Sequence, residues 1–284
     1  MKYIFDPNAL ILALMENLLQ TIVDSHVITS QFLERDVIID FYFPPGQSIN
    51  SGEVTLLLIN DGQDLVTMNF YQILNKLYED EKIAPLLCVG IHCGADRRNE
   101  YGTANILDYQ GRGAKAALYT LFISEELLPF IRSEYSIASF KEKSFCGFSL
   151  GGLSALDIVW NHAQEFKHVG VFSGSLWWRT VAQDDPDFKE EDHRIIHNEI
   201  KNGSYAPWLK FFFATGTLDE TADRNNNGII DSIDDTLCLI EELKKKGYDP
   251  QTDIRYLELN DGKHDVTTWA RAFPEFLLWG WGLK

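Results

Sequence analysis

A chain of 284 residues, 45% hydrophobic and 24% charged, has enough apolar material for one large core that needs no disulfide or metal to hold it. A formal net charge of −17 excludes phosphate-tracking functions, so neither nucleic acid nor an anionic membrane surface is an expected partner. Asp6 and Glu16 interrupt the N-terminal apolar stretch, which therefore lacks the pattern of a signal peptide. No run approaches the roughly 18 apolar residues of a membrane span. Cys88, Cys93, Cys146 and Cys238 are scattered without C-x-x-C spacing, and in a chain without an export signal they are expected to be reduced. A cytoplasmic location is the expectation. Composition sets no oligomeric state.

In chain order, residues 9–23 are apolar at helical spacing, predicting a helical extension over residues 1–28. Val37–Phe43 alternates as a half-buried strand, and Val54–Ile59 is a continuous apolar run of strand length. A helix over Thr67–Tyr78 precedes a second buried strand at Leu86–Ile91, and a long helix is predicted over Ala116–Tyr135. Then come a strand at Ser144–Gly147, a helix from Gly151 to about Trp160 and a strand at Val169–Phe172. A polar stretch (174–208) stands where a lid or wall would be inserted. Leu209–Thr215 and Ile254–Leu259 read as strands, Asp235–Lys246 and Val266–Trp281 as helices. Continuous apolar strands alternating with amphipathic helices predict one α/β domain over residues 1–284, a mostly parallel sheet covered on both faces. Such sheets bind ligands at the carboxyl ends of their strands.

Gly147-Phe148-Ser149-Leu150-Gly151 is a G-x-S-x-G between an apolar strand and a helix. This pattern lifts a serine hydroxyl above a sheet on a strained turn, where glycines relieve backbone crowding. The first amides of the following helix, that of Leu150 included, can stabilise an oxyanion.

A serine nucleophile needs a histidine base and an orienting carboxylate, here in the chain order serine, acid, base. His264, in the loop NDGKHD after the last predicted strand, is the candidate base. His26 and His92 precede the serine, while His162, His168, His193 and His197 lie in helix ends or polar connections and read as solvated or structural. The acid should follow the strand FFFAT, where Asp219 comes first and Glu220 second; Asp219 is the first choice and Glu220 stays open.

The second oxyanion amide is expected from Asn60-Asp61-Gly62-Gln63, with Gly62 turning the Gln63 N–H toward substrate. Trp177 and Trp178 at a strand end are candidates for an apolar substrate wall, or for core. In the loop HCGADRRNEYGT, Arg98 is a candidate for binding an acidic substrate group, against an internal Arg–Glu pair that holds the loop.

DRNNNGIIDSID reads as a twelve-residue calcium loop, with Asp223, Asn225, Asn227, Ile229 (through its carbonyl), Asp231 and Asp234 as ligands. The competing reading is an Asn/Asp-rich turn capping the next helix. Any calcium there is structural, and catalysis needs no cofactor.

With these residues in place, the chain resembles the putative esterase family of α/β-hydrolases, which includes enterochelin esterase, S-formylglutathione hydrolase and feruloyl esterase domains. The resemblance runs from about residue 28 to the C-terminus, on NDGQD, the Arg98–Gly102 loop, GFSLGG, SGSLWW, GTLDE and GKHD. It implies hydrolysis of a small-molecule ester through an acyl-enzyme, with Ser149, Asp219 and His264 in the matching positions. The Asp-Gly-x oxyanion loop looks more like the enterochelin esterase branch than the His-Gly form of many relatives. The chain is expected to depart from full enterochelin esterases in showing no separate N-terminal domain and in the calcium-like insertion. The alternatives are an acyltransferase on the same fold and a catalytically inactive binding protein.

Overall fold

A computed structural model describes residues 20–46 and 53–283. They form one eight-stranded sheet in the order β1-β2-β4-β3-β5-β6-β7-β8. The strands are β1 (Ile22–Ser30), β2 (Arg35–Phe43), β3 (Glu53–Asn60), β4 (Leu87–Ile91), β5 (Ser139–Phe148), β6 (His168–Phe172), β7 (Lys210–Leu218) and β8 (Ile254–Lys263). β1 and β2 run antiparallel to their neighbours, and every pair from β4 through β8 is parallel. This is the expected α/β-hydrolase arrangement.

Between the strands lie α1 (Asp64–Thr67), α2 (Phe70–Glu79), α3 (Arg97–Glu100), α4 (Ala116–Leu121), α5 (Leu128–Glu134), α6 (Leu150–Asn161), α7 (Glu190–His193), α8 (Ile195–Asn202), α9 (Asp231–Lys246) and α10 (Val266–Trp281). The period-2 geometry of strands divides the apolar runs between two cores. Leu56, Leu58, Val169, Val171, Phe211 and Phe213 face α5, α6 and α9. Leu57, Ile59, Phe148, Phe172 and Phe212 face α2 and α10. A continuous apolar strand is what two such layers demand.

The predicted helical extension needs correction. Residues 1–19 lie outside the described residues, but from Ile22 the chain is strand, paired with β2 from Ile22↔Phe43 to Ser30↔Arg35. The segment IVDSHVITS is rich in β-branched residues, which favour a pleated edge position over a helix. The long helix predicted over Ala116–Tyr135 is continuous but contains a π-helical turn, Phe122–Leu127, between α4 and α5. Pro129 at the start of α5 has no N–H to give, and the wider turn carries the helix past it.

β5 and β8 are longer than their apolar runs indicate. In β8 the extension has a local cause. Gly216 and Gly262 lie backbone to backbone, and a Cβ on Gly216 would come within 2.4 Å of the Gly262 carbonyl carbon. That approach lets pairing continue to Leu218↔Lys263. The residues that follow, Asp219 and His264, leave the sheet side by side, since parallel neighbours stand about 4.8 Å apart.

The 174–208 segment carries α7 and α8 and is tied down by charge: Glu190 pairs with Arg194 and Arg224, and both arginines also hold Asp235. His197 and His168 are buried, with pKa values pushed down to about 3 by desolvation. Both are structural, not solvated. Cys88 and Cys146 are buried and Cys93 and Cys238 half-buried, all unpaired. No helix among the described residues is long and apolar enough to cross a membrane.

Candidate active site

Ser149 stands between β5 and α6 with φ 54° and ψ −120°, a conformation that costs a non-glycine residue roughly 1–3 kcal/mol. Its N–H donates to the Phe172 carbonyl at 2.8 Å, and its own carbonyl accepts from Gly152 and Leu153. The glycines are forced by contact. A Cβ on Gly147 would sit 2.4 Å from the Gly151 carbonyl oxygen, and one on Gly151 would sit 2.4 Å from Asp61 Oδ2. The serine is half-buried at the carboxyl end of the sheet.

Asp219 follows β7, and its Oδ2 accepts from the Gly216 N–H at 3.0 Å. Its Oδ1 is buried and has no hydrogen-bond partner among the described residues. Desolvation raises the pKa of this carboxyl, opposed by the Gly216 amide, the Ser173 hydroxyl and the charge of His264. Glu220 is exposed as a residue; desolvation of its carboxyl raises its pKa, opposed by the Ser232 amide and reinforced by the carboxylates of Asp231, Asp235 and Asp219.

His264 lies in the turn from β8 into α10, edge-on to Trp269 with ring centroids 5.4 Å apart. The turn is held by its neighbour. Asp265 is the N-cap of α10, its side chain accepting from the Thr268 N–H at 2.8 Å, while Thr268 Oγ1 accepts from the Lys263 N–H. The residue as a whole is exposed, but desolvation of the ring is the largest influence on it and lowers its pKa; Asp219 pulls the other way.

The oxyanion loop differs in detail from expectation. Asp61, not Gly62, adopts the left-handed conformation, at φ 60°. Gly62 is required for packing, since a Cβ there would meet the Gly90 carbonyl carbon at 2.4 Å. The turn uses the amides of Gly62, Asp64 and Leu65, while the Gln63 side chain bridges to Cys93. Asn60 donates to the Gly151 carbonyl at 2.8 Å, so the loop is bonded directly to the elbow helix.

One wall assignment is corrected. Trp178 is 1% exposed and packs on Gly102 and Gly113, so it is core and only Trp177 stays at the surface of the site. Arg98 is exposed and makes no ion pair among the described residues; its carbonyl accepts from the Gly113 N–H. The arginine that reaches the site is Arg97. It grips Asp61 through both carboxylate oxygens, at 2.7 and 2.6 Å, and donates to the Phe148 carbonyl at 3.3 Å. The Arg–Glu pair of this region is Arg35 with Glu100, both N–H···O distances 2.7 Å. Adjacent arginines on a short helix point to different sides, a distinction that spacing in one loop does not reveal.

Sequence reasoning also passed over Ser175. Its Oγ lies 3.3 Å from Ser149 Oγ, and its N–H donates to the Ser149 carbonyl at 3.0 Å. Its signal was the S-G-S that opens the connection after β6.

In the calcium-like loop, Asp223 accepts from the amides of Asn227 and Gly228, and Asn225 and Asn227 donate to Asp234. Asp231 instead accepts from the Arg224 N–H. Among the described residues no group of three or more His, Cys, Asp or Glu gathers as a metal site.

A serine on a strained strand-to-helix turn, with an aspartate and a histidine at neighbouring strand ends, places the chain in the α/β-hydrolase class. Residues 30–279 match the family model described as Putative esterase. The chain belongs to that family. Its fold is similar to that of the enterobactin esterase FES from Shigella flexneri, with TM-score 0.66, 18% identity, 90% of this chain and 58% of that one covered. It is also similar to a ferulic acid esterase, with TM-score 0.67, 15% identity and coverage of 91% and 97%. The siderophore hydrolase EstB from Aspergillus nidulans aligns with TM-score 0.64, 17% identity and coverage of 90% and 94%. The chain thus spans somewhat over half the length of the enterobactin esterase it resembles. No curated protein matches it in sequence.

Proposed function

We propose that this esterase cleaves small-molecule carboxylic esters by two-step acyl transfer to water, with Ser149 as nucleophile. Ser149 Oγ bonds to the ester carbonyl carbon while its proton passes to His264. The carbonyl re-forms as the alkoxide leaves with that proton, and water repeats the sequence on the acyl-enzyme. Asp219 orients His264 and stabilises the imidazolium, and the N–H groups of Leu150 and Gln63 face the oxyanion. The observation that carries this reading is the buried, unpartnered Oδ1 of Asp219, beside the strand-end pair that leads to His264. An imidazole N–H is the donor that would satisfy it.

The test is a panel of p-nitrophenyl, feruloyl and catecholate esters, run beside a fluorophosphonate probe. Turnover of at least one ester, with stoichiometric labelling mapped to Ser149, is expected. Neither turnover nor labelling would leave a non-catalytic binder. Added methanol should divert some acyl groups only as a competitor of water; a product that is ester alone would make the enzyme an acyltransferase.

The lowered pKa of His264 predicts the pH profile. The base acts when neutral, so kcat/KM falls as pH drops through its pKa, and this acid limb is expected below the ordinary histidine value of about 6.5. Asp219→Asn removes the charge that raises the pKa and should move the limb lower still. A limb above pH 7 in the parent enzyme would contradict the assignment.

We further propose that the 223–234 loop takes calcium weakly, as a structural ion. Asp223, Asn225, Asn227 and Asp234 converge there; the two amide oxygens accept from the Asn227 and Ile229 N–H groups, so calcium would take the loop by displacing these bonds. For a Kd in the 10⁻⁴–10⁻³ M range, 10 mM calcium would add about 1.4–2.7 kcal/mol of stability. A melting temperature indifferent to calcium and to EGTA would leave the loop as a hydrogen-bonded helix entry.

A further inference from the structure

Trp177 follows Ser175 by two residues, at most about 7 Å of chain, so the surface it forms begins beside the nucleophile. There, Tyr109, Trp177, Arg179, Gln183 and Asp184 line a cavity of about 430 Å³, within the range of small-molecule sites. Two guanidinium groups approach the Trp177 ring, Arg112 at 5.1 Å and Arg179 at 5.9 Å.

The two arginines differ in one respect. Arg112 has an acid of its own, Asp108, which it holds by two side-chain hydrogen bonds. Arg179 is 7% exposed and forms no ion pair among the described residues. Its Nε donates to the Trp177 carbonyl at 2.7 Å and its Nη1 to Gln183 Oε1 at 2.6 Å, both neutral acceptors, while Nη2 has no hydrogen-bond partner among the described residues. The acids that act on it from a distance, Glu190 and Asp235, are already held by Arg194 and Arg224. Asp184 lines the same cavity and is exposed, without a salt bridge to Arg179. A guanidinium buried without a counter-charge is costly, and Nη2, the donor left open on a residue that lines the cavity, is where a ligand anion would remove that cost.

We propose that Arg179 is a specificity-determining residue. It binds a carboxylate or similar anionic group carried by the substrate, with Trp177 and Tyr109 packing against the adjoining apolar part. The assignment rests on the ester reading only in calling that group part of a substrate.

Binding separates the two claims. Phenylacetate and its neutral isostere phenylacetamide are titrated calorimetrically into the full chain. Phenylacetate is expected to bind at least about tenfold tighter, the size of a charge-assisted hydrogen bond. Arg179→Gln should bring the two within about twofold, but it also removes the bond to Trp177. Gln183→Glu is therefore the second variant: it keeps Arg179 in place and sets a carboxylate against Nη1, and it should abolish the preference equally. Equal affinities in the parent, no binding of either compound, or a preference that survives both variants would overturn the proposal. Anion preference together with no turnover on the ester panel and no probe labelling of Ser149 would support the subsite and overturn the ester reading.

Discussion

Ser149→Ala is expected to lower ester hydrolysis by about 10⁴-fold or more, with KM little changed, because it removes the covalent step and leaves the binding surface intact. His264→Ala should cost about as much. The double variant should be scarcely worse than either, since nucleophile and base act as one unit. Asp219→Asn is expected to cost less, at about 10²–10⁴-fold, because an imidazole can still accept the proton when its tautomer and orientation are less well held. Glu220→Gln serves as the discriminating control and should stay within a few-fold of the parent enzyme. Kinetics on p-nitrophenyl butyrate decide the matter. A larger loss from Glu220→Gln than from Asp219→Asn would transfer the orienting role, and retained turnover in Ser149→Ala would remove the nucleophile.

Arg97→Met is expected to destabilise the fold by about 3 kcal/mol, the lower end of the cost of breaking a buried ion pair. Asp61 has a side chain only 2% exposed, and its two oxygens are gripped by Arg97, whose own side chain is 29% exposed. Removing the guanidinium strands the carboxylate against the first turn of α6, in the space a Cβ on Gly151 would enter. The same change frees the Phe148 carbonyl, one residue before the nucleophile, so activity should fall along with stability. Two comparisons give the result meaning. Arg97→Met with Asp61→Asn should recover part of the loss, because no charge is left unpaired. Arg98→Met, at the exposed neighbour, should stay within about 0.5 kcal/mol. Urea unfolding of the four proteins reads these differences directly; equal midpoints for Arg97→Met and Arg98→Met would show that the clamp contributes nothing.

The catalytic candidates Ser149 and His264 were legible in the sequence, because local chain geometry dictates their surroundings. A G-x-S-x-G between a strand and a helix admits few backbone paths, and the contacts at Gly147 and Gly151 show why a larger residue would not fit. The alternation of buried runs and amphipathic helices likewise determined a parallel sheet with two covered faces. Each apolar strand must supply both cores, as Leu56 and Leu58 do on one side and Leu57 and Ile59 on the other.

Other features depend on what meets across the fold. The choice between Asp219 and Glu220 turns on the register Leu218↔Lys263, which exists because Gly216 and Gly262 can touch. Whether a tryptophan is wall or core, as at Trp177 and Trp178, is a matter of what packs over it, and the two are adjacent in sequence. The same holds for Arg97 and Arg98: one finds a buried carboxylate from another loop and its neighbour finds water. Arg179 is the strongest case, since its meaning lies in a partner it lacks, and only the packed structure shows that Glu190 and Asp235 are already taken. By itself the sequence determined the fold class, the candidate nucleophile and the candidate order of a triad, which follow from short-range backbone sterics and from hydrophobic periodicity. The tertiary structure decided which charges pair, which aromatic rings are buried and which of the two candidate acids is the less exposed. Those outcomes are set by distances between segments far apart in the chain, and no local pattern encodes them.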